Sequence, residues 1–143
     1  MIKILFVCHG NICRSPMAEF VLKDMVKKAG LADRFEIASA GVSREEYGNP
    51  MYPPARRELD KHGVPYGTRA ARQITKADCS YYDHIFYMDD SNARYLHRMF
   101  PEETKFCPFL PRDVADPWYY GNFQQTWCDI YEGCKNILEE LEC

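Results

Sequence analysis

Three features of the sequence predict an α/β fold: a single domain built on a central four-stranded parallel sheet with helices on both faces. Four short runs read as strands, at 2–7, 35–39, 84–88 and 105–110. Segments with helical spacing of apolar residues separate them. The first run, Ile2-Lys3-Ile4-Leu5-Phe6-Val7, is almost continuously apolar, as a central strand covered on both faces requires. Strands alternating with helices join through right-handed crossovers into a parallel sheet, and ligands then sit beyond the carboxyl ends of the strands.

The elements follow in order. Pro16 suits the first turn of a helix, where its missing N–H costs nothing, and Met17, Val21, Leu22, Met25, Val26 and Ala29 then recur at helical spacing up to Gly30 as a stop. Phe35 to Ser39 alternates, as a strand with one buried face does. The stretch from Gly41 to Pro54 is polar and punctuated by Gly48-Asn49-Pro50 and Pro53-Pro54, which predicts a loop. A helix is expected over Ala55 to His62, closed by Gly63, and a strand over His84 to Met88. Ser91 to Met99 reads as a helix capped by Ser91 or Asp90. Lys105 to Leu110 is a weaker strand, Leu110 to Asn122 a loop rich in Pro, Asp and Tyr. Phe123 to Leu141 is a terminal helix with Trp127, Ile130, Tyr131, Cys134, Ile137, Leu138 and Leu141 on its apolar side.

The chain has 143 residues and a net charge of −3, which favours one domain over 1–143. Its basic clusters, Arg56-Arg57 and Arg69 to Arg72, are short, so nucleic-acid binding is not expected. No stretch approaches the roughly 20 apolar residues of a membrane helix, and no membrane association is expected. Seven cysteines, an odd number without a signal peptide, argue for reduced thiols in a cytoplasmic setting. Without a Cys-x-x-Cys pair, and with the histidines scattered, neither a metal nor a cofactor is expected.

The segment between the first strand and first helix is Cys8-His9-Gly10-Asn11-Ile12-Cys13-Arg14-Ser15-Pro16. Loop amides that converge before a helix N-terminus form an anion site. A thiol in such a site is favoured as thiolate, the nucleophilic form. A phosphate monoester would repel that thiolate unless its own charge were cancelled. Loop N–H groups, the helix dipole and the planar fork of Arg14 supply the cancellation, and they meet the charge on the equatorial oxygens in the transition state. Gly10 and Asn11 suit a tight loop with positive φ, and Ser15 can donate to the Cys8 sulfur. The segment therefore points to attack of sulfur on phosphorus.

Expulsion of an aryl oxide also needs a proton donor. Asp116, in Asp113-Val114-Ala115-Asp116-Pro117-Trp118-Tyr119-Tyr120, is the leading candidate, because a carboxyl beside a bound phosphate is held protonated. Asp113, Asp89 and Asp90 compete with it, and so does a structural Asp-Pro turn.

At this point the chain resembles the low-molecular-weight protein tyrosine phosphatases. Val7 to Pro16 is similar to that family's phosphate loop and Asp116-Pro117-Trp118-Tyr119 to its general-acid loop. Ser39-Ala40-Gly41, Gly48-Asn49-Pro50, His62-Gly63-Val64-Pro65, Ala71 to Thr75 and Met88 to Asn92 also follow the family. The resemblance implies Cys8 as nucleophile through a phosphocysteine, Arg14 as phosphate clamp and Asp116 as general acid and then base. It implies a substrate-binding loop of His9, Gly10, Asn11, Ile12, Cys13 and Ser15, with Asn11, Ser15 and Ser39 in a supporting hydrogen-bond network. Trp118, Tyr119 and Ile12 would line the slot for the phosphotyrosine ring. Cys13 would trap oxidised Cys8 as a reversible disulfide. The implied partners are phosphotyrosine proteins, with inorganic phosphate as product and inhibitor, and a monomer or weak dimer. The family histidine before Ala-Arg-Gln, part of that network, is absent; Thr68-Arg69-Ala70-Ala71-Arg72 stands there with an extra residue, so either Arg69 substitutes or the network is rebuilt, and no role is carried over. His9 departs from the usual Leu or Thr and is expected to tune access or charge. Arg44 to Tyr47 matches the family's specificity segment poorly, and Tyr119 and Tyr120 resemble tyrosines that some members carry phosphorylated.

Three other activities fit parts of the pattern. A thiol-dependent arsenate reductase needs two further cysteines, but Cys79 lacks a nearby partner and Cys128 and Cys134 point to different helix faces. A protein arginine phosphatase on the same scaffold carries Thr where Ile12 stands, and an apolar Ile12 suits an aromatic ring better than a guanidinium. A catalytically silent phosphate-binding module would not need Cys8, Arg14 and Asp116 together.

Overall fold

The computed structural model describes residues 1–141. Cys143, the last of the cysteines, lies outside the described residues. Strands β1 (Ile2–Cys8), β2 (Phe35–Gly41), β3 (His84–Tyr87) and β4 (Phe106–Pro108) form one sheet in the order β2-β1-β3-β4. All three pairings are parallel. The register sets Cys8 beside Gly41 at the carboxyl end of the sheet.

Alternation along β1 explains how both faces are filled. Ile4, Phe6 and Cys8 join a core with Met17, Leu22, Leu59 and Ile130, beneath α1 (Arg14–Lys28), α2 (Pro53–Lys61) and α6 (Phe123–Leu141). Leu5 and Val7 point the other way, into a core with Ile74, Cys79, Ile85, Leu96 and Phe106, beneath α3 (Lys76–Tyr81) and α4 (Asp90–Met99). A continuously apolar strand is thus the signature of a strand with no wet face.

Several element boundaries differ from the sequence expectation. The cap of α4 is Asp89, which accepts from the Asn92 N–H at 2.8 Å in a reciprocal capping box; Ser91 and Asp90 lie inside the helix. Helix α3 has no counterpart in the sequence expectation between Arg72 and His84, although Thr75 and Asp78 are spaced as a capping box and form one. The Asp116 loop contains a single helical turn, α5 (Pro117–Tyr120), capped by Asp116 and ended by Gly121 at φ 70°. Strand β4 keeps only three residues of the expected run. On α6, Ile130, Cys134 and Ile137 are buried but Tyr131 is exposed, so it lies off the apolar face. That helix approaches closely because Gly133 has no side chain: a Cβ there would sit 2.2 Å from the Phe109 ring.

Candidate active site

Cys8 ends β1 and Arg14 begins α1, so the five residues between them turn over the carboxyl end of the sheet. The turn is anchored to β2 and the chain beyond it. Val42 N–H donates to the Cys8 carbonyl at 3.0 Å, and Ser43 donates to the His9 carbonyl through both its N–H and its hydroxyl at 3.1 Å. Tyr52 N–H donates to the Ile12 carbonyl at 2.9 Å. Gly41 lies directly beneath: a Cβ there would sit 2.8 Å from the His9 carbonyl oxygen. Any side chain at 41 would lift the loop, which accounts for the glycine at that position.

Asn11 has φ 63°, the one non-glycine positive φ among the described residues. Its side chain ties the loop together. Asn11 Nδ2 donates to Ser15 Oγ at 2.8 Å and to Ser39 Oγ at 3.0 Å. Ser15 Oγ lies 3.0 Å from Cys8 Sγ, and Ser39 donates to Glu19 Oε1 at 2.6 Å. Arg69 donates to the Asn11 carbonyl at 2.7 Å and to its side-chain oxygen, which also accepts from Arg72 N–H at 3.1 Å. Asn11 and Ser15 are fully buried. Burial pushes the Arg69 guanidinium down from its ordinary value, with the charges of Glu19 and Cys8 opposing. The resemblance marked Asn11, Ser15 and Ser39 as this network and left open whether Arg69 stands in for the family histidine; Arg69 does reach Asn11, and Glu19 is an addition.

Arg14 is 2% exposed. Its Nη1 donates to Asp89 Oδ2 and to the Val114 carbonyl, both at 2.7 Å. Burial works against its charge, but Cys8, Asp89 and Asp116 more than offset that, and the guanidinium is held above its ordinary range. Asp89 is therefore the counter-ion that aims Arg14. It competed for the proton-donor role in the sequence, where nothing distinguishes a carboxylate spent on an arginine from one left facing substrate.

Cys8, His9, Gly10, Ile12, Cys13, Arg14, Glu45, Glu46, Asp116, Trp118 and Tyr119 line one cavity. Asp116 Oδ2 stands 3.5 Å from Arg14 Nη2, and its Oδ1 accepts from Trp118 N–H at 3.0 Å. Asp113 instead accepts from Asp90 N–H, and Asp90 pairs with Arg94 on the surface. Of the four carboxyls, Asp116 is the one that lines this cavity. Trp118 leans on Tyr52 with ring centroids 4.7 Å apart, and Tyr52 in turn meets Phe123 at 6.1 Å. Nothing in the sequence singles out Tyr52, which lies in the punctuated loop. His9 sits between Glu45, 3.2 Å from its Nε2, and the edge-on ring of Tyr95. Tyr47 is exposed, is not among the residues lining this cavity, and carries Arg44 over its ring at 4.4 Å.

The six described cysteines are free thiols. Cys13 is buried beside Cys8, and burial first, then the Cys8 charge, push its thiol far up from its ordinary value. Cys79, on the buried side of α3, belongs to the second core, Cys134 donates to the Ala18 carbonyl at 3.5 Å, and Cys128 is exposed. Among the described residues, no group of three His, Cys, Asp or Glu is placed to hold a metal ion.

Comparison with known proteins gives the arrangement its family. The family model described as low molecular weight phosphotyrosine protein phosphatase matches residues 3–143. A low molecular weight protein-tyrosine-phosphatase of Bacillus subtilis is 35% identical over 151 residues, covering 99% of this chain and 97% of the relative. The crystal structure of a low molecular weight protein tyrosine phosphatase from Streptococcus pyogenes superposes with a TM-score of 0.93 at 38% identity, covering 99% of this chain and 93% of that one. A Drosophila arginine phosphatase is similar as well, with a TM-score of 0.89, 30% identity and 99% coverage of both chains. The sheet, the loop over its carboxyl end and the match along nearly the whole length agree: the chain belongs to the low molecular weight phosphotyrosine protein phosphatase family.

Proposed function

We propose that this protein hydrolyses phosphotyrosine in proteins, and small aryl phosphates, by two in-line displacements at one phosphorus. In the first, the Cys8 thiolate forms the S–P bond as the P–O bond to the phenol breaks. Asp116 passes its proton to the departing phenolate oxygen. Loop N–H groups and Arg14 hold the equatorial oxygens through the transition state. In the second, Asp116, now a carboxylate, takes a proton from water as that water attacks the phosphocysteine. Ser15 donates to the leaving sulfur, and inorganic phosphate is released, which also makes it an inhibitor. Gly10, Asn11, Ile12, Cys13 and Ser15 form the binding loop around the phosphate, with His9 at its edge and Ser39 in support. Ile12, Trp118 and Tyr119 flank the aromatic ring.

The observation that carries this reading is the meeting of Cys8, Arg14 and Asp116 in one cavity, with Asp116 3.5 Å from Arg14. The likeness to an arginine phosphatase keeps a second substrate in view; Ile12, an apolar residue on the cavity wall, favours an aromatic ring over a guanidinium. Cys13 stands beside Cys8 and is read as the thiol that captures oxidised Cys8 as a disulfide. The unit is read as one domain over 1–143, working in the cytoplasm as a monomer or weak dimer on phosphotyrosine proteins. No described helix is long and apolar enough to cross a membrane.

The test is a phosphopeptide panel bearing phosphotyrosine, phosphoarginine or phosphoserine, with arsenate reduction run alongside. Turnover of phosphotyrosine in preference to the others is expected, and it should vanish in Cys8→Ser while the fold and phosphate binding persist. Preference for phosphoarginine, arsenate turnover, or an active Cys8→Ser variant would each overturn the assignment.

A further inference from the structure

We propose that Arg69 is a positioning residue that fixes the direction of the hydrogen-bond chain ending at the Cys8 sulfur. The inference rests on reading Cys8 as the nucleophile.

The argument comes from counting protons. A guanidinium has only donors, and so has a backbone N–H. Arg69 Nη2 and Arg72 N–H both meet the side chain of Asn11 at one atom, which must therefore be the amide oxygen. The amide NH2 then points the opposite way and spends its two hydrogens on Ser15 Oγ and Ser39 Oγ. Ser39 in turn has a strong acceptor for its own proton, Glu19 Oε1 at 2.6 Å. Ser15 already accepts from Asn11, so its single proton is free to be donated. Of its two possible acceptors, Cys8 Sγ at 3.0 Å is nearer than the Ala40 carbonyl at 3.4 Å. The chain runs from Arg69 through Asn11 and Ser15 to sulfur, and its last link stabilises a thiolate.

A second contact makes Arg69 more than an orienting donor. Its Nη1 donates to the backbone carbonyl of Asn11 at 2.7 Å, holding the residue whose φ is 63°. One guanidinium thus grips both the backbone and the side chain of the strained residue. The groups facing it are Glu19 from α1, Cys8 from β1, and Arg72, whose own charge is paired with Asp78.

Without Arg69, the Asn11 amide oxygen keeps Arg72 N–H as its one donor, Ser39 is left to hold the NH2 on the other side, and the amide turns over more readily. Its oxygen would then face Ser15 and draw the hydroxyl proton away from the sulfur. A residue that only filled space would have no such effect. The experiment uses Arg69→Met, which keeps bulk and removes donors, and Arg69→Lys, which restores one donor. It measures kcat and KM for an aryl phosphate, and the pH dependence of inactivation by iodoacetate.

In Arg69→Met, kcat should fall about tenfold with KM within about twofold, and the inactivation profile should move up by about one pH unit, the scale of one charge-assisted hydrogen bond. Arg69→Lys should recover part of both. An unchanged profile in Arg69→Met, or no recovery in Arg69→Lys, would overturn the proposal. If Arg69→Met fails to fold, Arg69→Lys against the parent decides: a profile moved upward supports the proposal and an unmoved one refutes it. Phosphate protection of the parent against iodoacetate, and an inactive Cys8→Ser, test the nucleophile separately. Their failure would remove the underlying reading whatever Arg69 does.

Discussion

Behind the Cys8 sulfur, Asn11 and Ser15 are fully buried and joined through Ser39 to Glu19, whereas in front of it Trp118 and Tyr119 are 51% and 78% exposed. The back is a cradle in which polar groups are committed to one another. The front is a rim of aromatic rings, with Asp116 held by one backbone N–H and a 3.5 Å approach to Arg14. The difference matches what the proposed reaction asks of each side. Transition-state charge has to meet donors already in place, because reorganising them during the reaction would cost free energy. The rim has to admit and release a protein side chain, so it stays accessible.

Mutations on the two sides should therefore differ in kind. Arg14→Lys, in the cradle, replaces a planar fork by a point charge and leaves Asp89 and Val114 without their donor geometry. A loss of about 10³-fold in kcat is expected, by analogy with removing a fixed transition-state donor. Steady-state kinetics on an aryl phosphate checks it, and a loss confined to KM would count against the clamp.

Asp116→Asn, at the rim, removes the proton and little else. Aryl phosphates with poor leaving groups should slow by about 10²-fold, while those with activated leaving groups change far less. A leaving-group series reads this directly; equal effects across the series would shift the acid role to another carboxyl. Ile12→Thr should be milder. Exchange of an apolar wall for a hydroxyl should move the ratio of phosphotyrosine to phosphoarginine turnover about tenfold toward phosphoarginine, the scale of one side-chain change in a pocket. An unmoved ratio would show that Ile12 does not select the ring.

The smallest effect is expected at the brace behind the cradle. Asp78 is penalised by burial, but Arg72 and the Thr75 cap outweigh that and hold its carboxyl below the ordinary range. A lowered folded value means that its contribution is present above the ordinary carboxylate value of about 3.9 and is lost as pH falls through the folded value. Arg72 is partly exposed, so the ion pair itself is screened. Asp78→Asn should lower the melting temperature by a few degrees at neutral pH, about 1 kcal/mol, and the gap should start to close as pH falls below about 4. A gap that persists in acid would assign the effect to the cap hydrogen bonds instead of the charge.

The strands were legible because burial of both faces leaves an unmistakable record in β1, and the terminal helix because its length repeats the pattern several times. Helix α3, at six residues, is too short for periodicity to register, although Thr75 and Asp78 marked its start. The loop residues Cys8 and Arg14 were legible from chemistry: a thiol, a glycine and an arginine make a poor apolar core. The partners of Asp89, Glu19, Arg69 and Tyr52 were not: the sequence offers Asp89 only as a competing acid and Arg69 only at the place of the family histidine, because each acts on a residue distant along the chain. Arg69 meets Asn11 across 58 positions and Asp89 meets Arg14 across 75.

By itself, the sequence determined the parallel sheet, the position of the loop after its first strand, and the residue types that the proposed attack of sulfur on phosphorus requires. These are properties of neighbours in the chain, where spacing and side-chain chemistry suffice. Only the tertiary structure decided which carboxylate aims Arg14 and which is left facing the cavity. It also decided why position 41 must be glycine, and that Arg69 grips Asn11. The physical reason is common to all of these: a charge or a hydrogen bond is assigned by what stands within about 3 Å of it in space, and that distance exists only once the chain has closed.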